Sequence, residues 1–359
     1  MAISKEALPS LACSSEFGPI QADDHKVARL EHFFSRRGAN YRQRVDSRPF
    51  DPHRLDEEFD ELTIRFEPEQ KALWCLFDYT ERPCFRPRFL DQILALQTRL
   101  RHGLAGAAVS DEMPLRTLVW GSNFPGVWSL GGDLALFSRL IRAGAAEDLR
   151  RYAYTCVDAV YQNLTKMELP LLTVALVQGD ALGGGFESAL TNDVIIAERG
   201  SKLGLPEVLF NMFPGMGAYS LLCRRLDGVR AQQLILSGRL YEAHELEELG
   251  LVDLVVDQGD GPAAVRDYLE RNRRRHSTLL ALSRVRQRCQ PVTYEELIDV
   301  TDVWVDTALS LDEADLRRME HLVRAQLRRH ARTHGAPAEP LSSVGRWRIA
   351  DPVAAQPAL

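Results

Sequence analysis

The chain has 359 residues, 45% of them hydrophobic and 26% charged, the profile of a globular protein with room for one large domain or two smaller ones. Its net charge of −6 gives no electrostatic reason to expect nucleic acid as the main partner. No apolar run approaches the roughly 18 residues needed to span a bilayer, and the N-terminus lacks the apolar core of a signal peptide. No membrane association is therefore expected, and the expected location is cytoplasmic. The six cysteines (Cys13, Cys75, Cys84, Cys156, Cys223 and Cys289) form no CxxC pair, so buried thiols in a reducing compartment are expected, and no metal site.

In chain order, residues 1–60 read as a loosely ordered, polar N-terminal extension with a basic pair at Arg36–Arg37. The core begins at "LTIRFEPEQKALWCLF", where alternating apolar runs at Leu62–Phe66 and Ala72–Phe77 flank a proline-containing turn, a hairpin signal. A helix follows with Phe89, Ile93, Leu96 and Leu100 on one face. "LRTLVWGS" (115–122) predicts a strand, and the loop "NFPGVWSLGG" leads into a helix with Leu134, Phe137 and Ile141 turned inward. A longer helix spans about 147–166, and "LLTVALVQ" (171–178) is an apolar run typical of a strand buried on both faces. "DVIIAE" (193–198) is the next strand, and from about 217 the pattern is helical. A helix at Ala243–Leu249 stops at Gly250, a C′ glycine, "LVDLVV" (251–256) forms a short strand, and 262–335 is helical throughout. Residues 336–359 read as a disordered tail. The fold class is α/β, a ββα rhythm over 61–258 followed by a C-terminal helical region over 259–335.

Chemistry concentrates in "GDALGGGFES" (179–188), between a buried strand and a helix. Gly183, Gly184 and Gly185 lack the G-x-G-x-x-G spacing of a dinucleotide site. Tight packing of the turn accounts for the glycines in part, but leaves unexplained why Glu187 sits in an apolar neighbourhood, where carboxylates are rare without a partner or a task. A third reading uses both features: a helix N-terminus presents unpaired N–H groups, glycine admits a substrate carbonyl, and a second N–H from another glycine loop completes an oxyanion hole. "SLGGDLALF" (129–137) is that second loop; its Asp133 reads as the cap of the helix that begins there, with a direct catalytic role as the alternative. Glu207 in "KLGLPEVLFNMFPGMGAYSLL" is a second acid in an apolar run, either a solvated edge residue or a catalytic acid; its pairing with Glu187 favours the second. Two carboxyls in a low-dielectric site raise each other's pKa, so that one is protonated and one ionised near neutral pH.

These motifs together, "SLGGDL", "VQGDALGGGFESAL", "LGLPEVLFNMFPGMGAYSLL" and "LSGRLYEAHELEELGLVDLVV", resemble those of the crotonase (enoyl-CoA hydratase/isomerase) superfamily over roughly residues 60–330. The resemblance implies a crotonase-like spiral of ββα units, a C-terminal helical region used in trimer formation, an acyl-thioester substrate and an oxyanion stabilised by two backbone N–H groups. "WSLGGDLALFSRLIR", "LPEVLFNMFPGMGAYSLLCRR" and "VTDVWVDTALSLDEADLRRMEHLVRAQLRR" are similar to one branch, the synthases of diffusible signal factor, the cis-2-unsaturated fatty acids of bacterial quorum sensing. Such enzymes dehydrate a 3-hydroxyacyl group on acyl carrier protein and cleave the thioester.

Carried over by motif, the resemblance implies Glu187 and Glu207 as the catalytic carboxylates, Gly132 and Gly184 as oxyanion donors, and Leu182, Met216, Trp304 and Leu322 as acyl-tunnel residues; plain core packing is the other reading of these four. It implies no cofactor beyond the carrier of the acyl group, acyl carrier protein or CoA, and no metal. Expected partners are a homotrimer or dimer of trimers and, as in some members of the branch, the receiver domain of a sensor kinase. The basic "RNRRRH" (271–276) reads either as a dock for acidic carrier protein or as a solvated helix face. The competing functions are an ordinary enoyl-CoA hydratase and a non-catalytic crotonase-fold regulatory protein.

Overall fold

The structure, a computed structural model, describes residues 51–52, 55, 59–110 and 113–334. The expected tail 336–359, most of the expected extension, and Cys13 lie outside them. The hairpin pairs β1 (Leu62–Glu67) antiparallel to β2 (Ala72–Phe77), Leu62 opposite Phe77. From β2 onward pairing is parallel, through β3 (Thr117–Ser122), β5 (Leu172–Val177), β7 (Val194–Glu198) and β10 (Leu254–Val256). The result is one six-stranded sheet in the order β1-β2-β3-β5-β7-β10. β5 lies in its interior, and every residue of "LTVALV" is buried; a parallel strand covered on both faces has no polar side to display.

On one face, Trp74, Val119, Val174, Leu176 and Ile196 pack around Val265 of α8 (Gly261–Asn272). The opposite face carries Phe77, which meets Phe89 of α1 (Pro87–Ser110) edge-on at 5.3 Å. The four residues expected on the inner face of α1, Phe89, Ile93, Leu96 and Leu100, are all buried. α2 (Leu134–Arg142) opens at Asp133, whose Oδ1 accepts from the N–H of Leu136 at 3.1 Å, the cap expected of that residue. Phe137 and Ile141 are buried, whereas Leu134 is only partly so. α3 (Ala146–Leu164) packs against α1 and α10 (Tyr294–Leu309).

Two features were not legible in the sequence. The longer helix ends at Leu164, and Lys166, Met167 and Glu168 follow with φ of 56°, 53° and 64°. A single left-handed turn of non-glycine residues costs roughly 1–2 kcal/mol per residue; here Met167 is buried and Lys166 Nζ pairs with Asp193 at 3.2 Å. The second feature is a separate sheet of three-residue strands, β4 (Val127–Ser129), β6 (Asp180–Leu182), β8 (Lys202–Gly204) and β9 (Leu240–Glu242), in that order. Strands this short carry no readable periodicity.

The remaining chain is helical around this frame. α4 (Gly184–Leu190), α5 (Ala218–Cys223), α6 (Gly228–Ser237) and α7 (Ala243–Glu248) precede β10, and Gly250 after α7 has φ +73°. α8, a 3-10 turn at Arg273–Arg275, α9 (His276–Cys289), α10 and α11 (Glu313–His334) make up the C-terminal helical region. Leu55, inside the segment expected to be a loose extension, is buried, and Asp60 bonds Arg88 and Gln92. Cys75, Cys84 and Cys156 are buried as expected, but Cys223 is half-buried and Cys289 exposed; none of these five is in a disulfide.

Phe77 contacts the rings of Tyr79, Phe85, Phe89, Trp120 and Trp128 and joins the sheet to α1. Phe77→Ala is expected to lower the unfolding free energy by about 3–5 kcal/mol in a urea titration. A loss under about 1 kcal/mol would show that this cluster does not hold the sheet.

Candidate active site

The short sheet builds the site. β4, β6 and β8 run parallel, with Ser129 beside Ala181, Ala181 beside Leu203 and Leu182 beside Gly204. Their C-terminal ends therefore release three loops at one place: Leu130–Asp133, Gly183–Gly184 and Leu205–Glu207. The N–H of Gly183 continues the ladder to the carbonyl of Gly204 at 2.8 Å. Gly184, the first residue of α4, and Gly132 carry the next N–H groups, and neither donates to a protein acceptor among the described residues. The two loops touch: a methyl group built on Gly184 would lie 3.4 Å from the nitrogen of Gly132.

Two glycines are required by geometry. Gly131 has φ +82°, and a Cβ there would fall 2.7 Å from the Gly184 nitrogen. Gly183 has φ +54°, and its Cβ would fall 2.5 Å from Glu207 Oε1. Each position demands a left-handed backbone and has no room for a side chain. The Gly131–Gly132 loop is braced from "RPCFR" (82–86), a segment that sequence reasoning passed over. Phe85 N–H donates to Gly131 O at 2.8 Å, Leu130 N–H to Pro83 O at 2.8 Å, and Arg82 bonds both oxygens of Asp133 at 3.0 and 3.1 Å. Behind that brace, Arg86 pairs with the fully buried Glu61.

Glu187 is fully buried. Its Oε1 accepts from the N–H groups of Met216 and Ala218, both at 2.9 Å, so the carboxylate sits on the N-terminus of α5 rather than on that of its own helix. Its Oε2 has no partner among the described residues. Glu207, in the 3-10 turn Pro206–Phe210, is half-buried with Oε2 buried and likewise without a partner. Burial pushes Glu187 up to about 7 against the pull of its two N–H donors. Burial, and next the charge of Glu187, push Glu207 up to about 8. Removal from water outweighs the hydrogen bonds in both cases.

One cavity brings together Gly132, Gly184, Glu187, Glu207, Met216, Trp304 and Leu322. Leu182, grouped with the tunnel residues by the sequence reading, is not in its lining. It is a buried residue of β6, with its carbonyl against the Gly131 turn. Trp304 is buried and stands edge-on to Phe137 at 5.0 Å. Asp302, two residues before it, bonds Arg150 at 3.0 Å and Tyr154 at 2.7 Å. Thr301 ties the same helix to the site through the carbonyl of Gly215 at 3.0 Å. A second cavity, absent from the sequence reading, shares Gly132, Gly184 and Met216 with the first and extends to Gln97 and Asn163. Among the described residues no cluster of His, Cys, Asp and Glu could hold a metal ion, and no helix is long and apolar enough to cross a membrane.

Raised carboxyl pKa values have a stability consequence of definite sign. The folded state keeps protons on these two groups that the unfolded chain releases near pH 4.5, so the pair's own contribution to stability is highest below that pH and falls as pH rises through about 7 to 8. Glu207→Gln removes one of these groups. Urea titrations are expected to show its stability, relative to the unsubstituted protein, rising from about pH 4.5 to about pH 9. A pH-independent difference would contradict the burial of an ionisable Glu207.

The family model described as enoyl-CoA hydratase/isomerase matches residues 95–278, slightly more than half of the chain. Rat mitochondrial methylglutaconyl-CoA hydratase is 30% identical over 164 residues, 45% of this chain and 50% of that protein. The chain spans about half the length of such curated relatives. Among solved structures, enoyl-CoA hydratase from Bacillus halodurans superposes with TM-score 0.59 at 22% identity, covering 73% of this chain and 100% of the other. Human mitochondrial delta3-delta2-enoyl-CoA isomerase gives 0.62 at 15%, covering 75% and 99%. Likeness at this identity speaks for the fold; together with the family match over the glycine loop and both glutamates, it places the chain in the enoyl-CoA hydratase/isomerase family.

Proposed function

We propose that the protein interconverts 3-hydroxyacyl and 2-enoyl thioesters at the Gly132–Gly184 centre. The observation that carries this reading is the placement of two desolvated carboxyl groups, Glu187 and Glu207, in one cavity with two adjacent, unengaged N–H groups. The thioester carbonyl accepts from the Gly132 and Gly184 N–H groups, which stabilise the negative charge that develops on its oxygen. Near neutral pH the pair holds about one proton between its members. In hydration, Glu187, whose ionised form is favoured by two N–H donors, takes a proton from water as the oxygen bonds to Cβ. Glu207, the carboxyl with the higher pKa, gives its proton to Cα. Dehydration is the reverse: Glu207 takes the Cα proton and protonated Glu187 releases the 3-hydroxyl as water. Met216, Trp304 and Leu322 pack around the acyl carbons.

The finer reading is a diffusible-signal-factor synthase, supported by the resemblance of residues 128–142, 205–225 and 300–329 to that branch. It adds thioester hydrolysis: water attacks the carbonyl carbon, the tetrahedral oxyanion rests on the same two N–H groups, and the thiol leaves with the proton that water loses. Acyl carrier protein is then the natural carrier. Of the basic cluster, Arg271 and Arg273 already pair with Asp267 and Glu270 along their own helix, which favours a solvated face there. The ordinary-hydratase reading is supported by the CoA-thioester enzymes among the relatives. Self-association as a trimer is supported by exposed apolar residues at α6: Val229 and Leu236 seven positions apart, with Leu209 and Tyr219 at its two ends.

Incubation with 3-hydroxyacyl carrier protein and with 3-hydroxyacyl-CoA, followed by mass spectrometry, tests these readings. Free 2-enoic acid is the expected product of the synthase; reversible dehydration without release of acid supports the hydratase. Glu187→Gln and Glu207→Gln are each expected to lower kcat by about 10²–10⁴. No turnover of either thioester, or unchanged turnover in both variants, contradicts the catalytic reading.

A further inference from the structure

The direction of the Gly132 N–H is set by the bonds that its neighbours make. Its peptide also contains the Gly131 carbonyl, and in a planar trans peptide the two groups point opposite ways. Phe85 N–H holds that carbonyl at 2.8 Å, and Phe85 and Gly132 face each other as an isolated parallel bridge. The following peptide is held at the Gly132 carbonyl by Leu134 N–H at 3.0 Å. Its other end is held by a side chain: Asp133 N–H donates to the hydroxyl oxygen of Tyr152 at 3.1 Å. The same hydroxyl donates to the Phe85 carbonyl at 2.5 Å. One oxygen thus clasps segment 82–86 to the loop beside the oxyanion donor. Leu130 N–H is engaged by Pro83 O and Gly131 N–H by Ser129 Oγ. From Leu130 to Leu134, only the Gly132 N–H is left without an acceptor among the described residues.

Tyr152 belongs to α3 and is buried, as are Phe85 and Asp133. Its ring stands edge-on to Phe137 at 5.2 Å. Phe137 in turn lies against Gly132, where a Cβ would fall 2.7 Å from its Cζ. Ring and hydroxyl therefore act on the same glycine, the ring through packing and the hydroxyl through the peptides beside it. Tyr152 is not among the residues that line the cavity of Glu187 and Glu207. Burial pushes its hydroxyl well above the usual phenol range. It therefore stays protonated near neutral pH and serves as donor and acceptor at once.

We propose that Tyr152 is a positioning residue of the oxyanion site, its hydroxyl holding Asp133 N–H and the Phe85 carbonyl so that the Gly132 N–H stays aimed at the thioester oxygen. The inference rests on the acyl-thioester reading of the site and extends it to a residue outside the cavity. Tyr152 touches no substrate and takes no part in proton transfer. Without the hydroxyl, two backbone groups of buried residues must find other partners, and the loop that carries Gly132 shifts with them. A donor held off its line matters most when negative charge develops on the oxygen. Loss of a whole donor costs about 10²–10³ in rate, so a misaimed one is expected to cost about ten- to hundredfold in kcat.

The test is Tyr152→Phe, which removes the hydroxyl and keeps the ring against Phe137. One readout is steady-state kinetics with 3-hydroxyacyl-CoA over a range of pH. The other is the infrared carbonyl band of a bound saturated acyl-CoA carrying carbon-13 at the thioester, a band that falls in frequency when the oxygen accepts hydrogen bonds. In the variant, kcat is expected to fall about ten- to hundredfold by the same factor at every pH, with KM moved less than about threefold. The band is expected to return toward that of the free thioester. Val265→Ala, in the core on the opposite face of the sheet from α1, lowers stability away from the loop and is expected to leave both readouts unchanged. An unchanged kcat and band in Tyr152→Phe, or a variant that does not fold, assigns the hydroxyl to stability alone and overturns the proposal. A loss that varies with pH assigns it to proton transfer and overturns it too. An unshifted band in the unsubstituted protein overturns the oxyanion reading and this one together. A shifted band that responds to Tyr152→Phe in a protein that turns over neither thioester overturns the catalytic reading and leaves this one standing.

Discussion

The site depends on the parallel pairing of three strands of three residues each, β4, β6 and β8. Parallel strands end side by side, so the loops that follow them open at the same level. One loop carries Gly132, the next carries Gly184 and the third carries Glu207. The ladder also decides which N–H groups are spare. Gly183 spends its N–H on Gly204, and the register then leaves Gly184 as the first free donor. In the proposed reaction, a carbonyl that meets the Gly132 and Gly184 N–H groups lies in the cavity that Glu187 and Glu207 also line. The brace from residues 82–86 and the Arg82–Asp133 pair hold the outer loop in the same register.

The glutamates illustrate two opposing electrostatic terms. Two backbone N–H groups favour the ionised form of Glu187, yet removal from water disfavours it more strongly, and the carboxyl ends near neutrality. Glu207 feels the same desolvation together with the charge of its neighbour and ends higher. The hydrogen bonds thus act less to lower the pKa than to fix one oxygen of Glu187 and leave the other directed elsewhere. The loop Met216–Ala218 is both the partner of that carboxylate and part of the cavity wall, so packing at Trp304 and Thr301 is coupled to the position of Glu187 through a few backbone bonds.

Much of this was legible in the sequence because it rests on local signals. The buried run "LTVALV", the hairpin over 62–77, the capping Asp133 and the glycine after α7 each follow from residue type and spacing. Glu187 and Glu207 stood out as acids in apolar runs, and the glycine loops as openings at helix starts. What escaped the sequence was non-local or too short to be periodic. The second sheet consists of strands without a pattern, and the partners of Glu187 lie 29 and 31 residues away. Leu182 sits beside the glycines in sequence but is absent from the lining of the cavity they share with the glutamates.

The central claim is geometric: two backbone N–H groups and two carboxyls surround one acyl thioester. A crystal structure of the protein with a saturated acyl-CoA, which lacks the 3-hydroxyl and does not dehydrate, tests it most directly. The account predicts the thioester oxygen at about 3 Å from both the Gly132 and Gly184 nitrogens, with Cα and Cβ lying between Glu187 and Glu207. A thioester carbonyl bound away from those two nitrogens, or with either glutamate on the far side of the acyl chain from its reacting carbons, would contradict it.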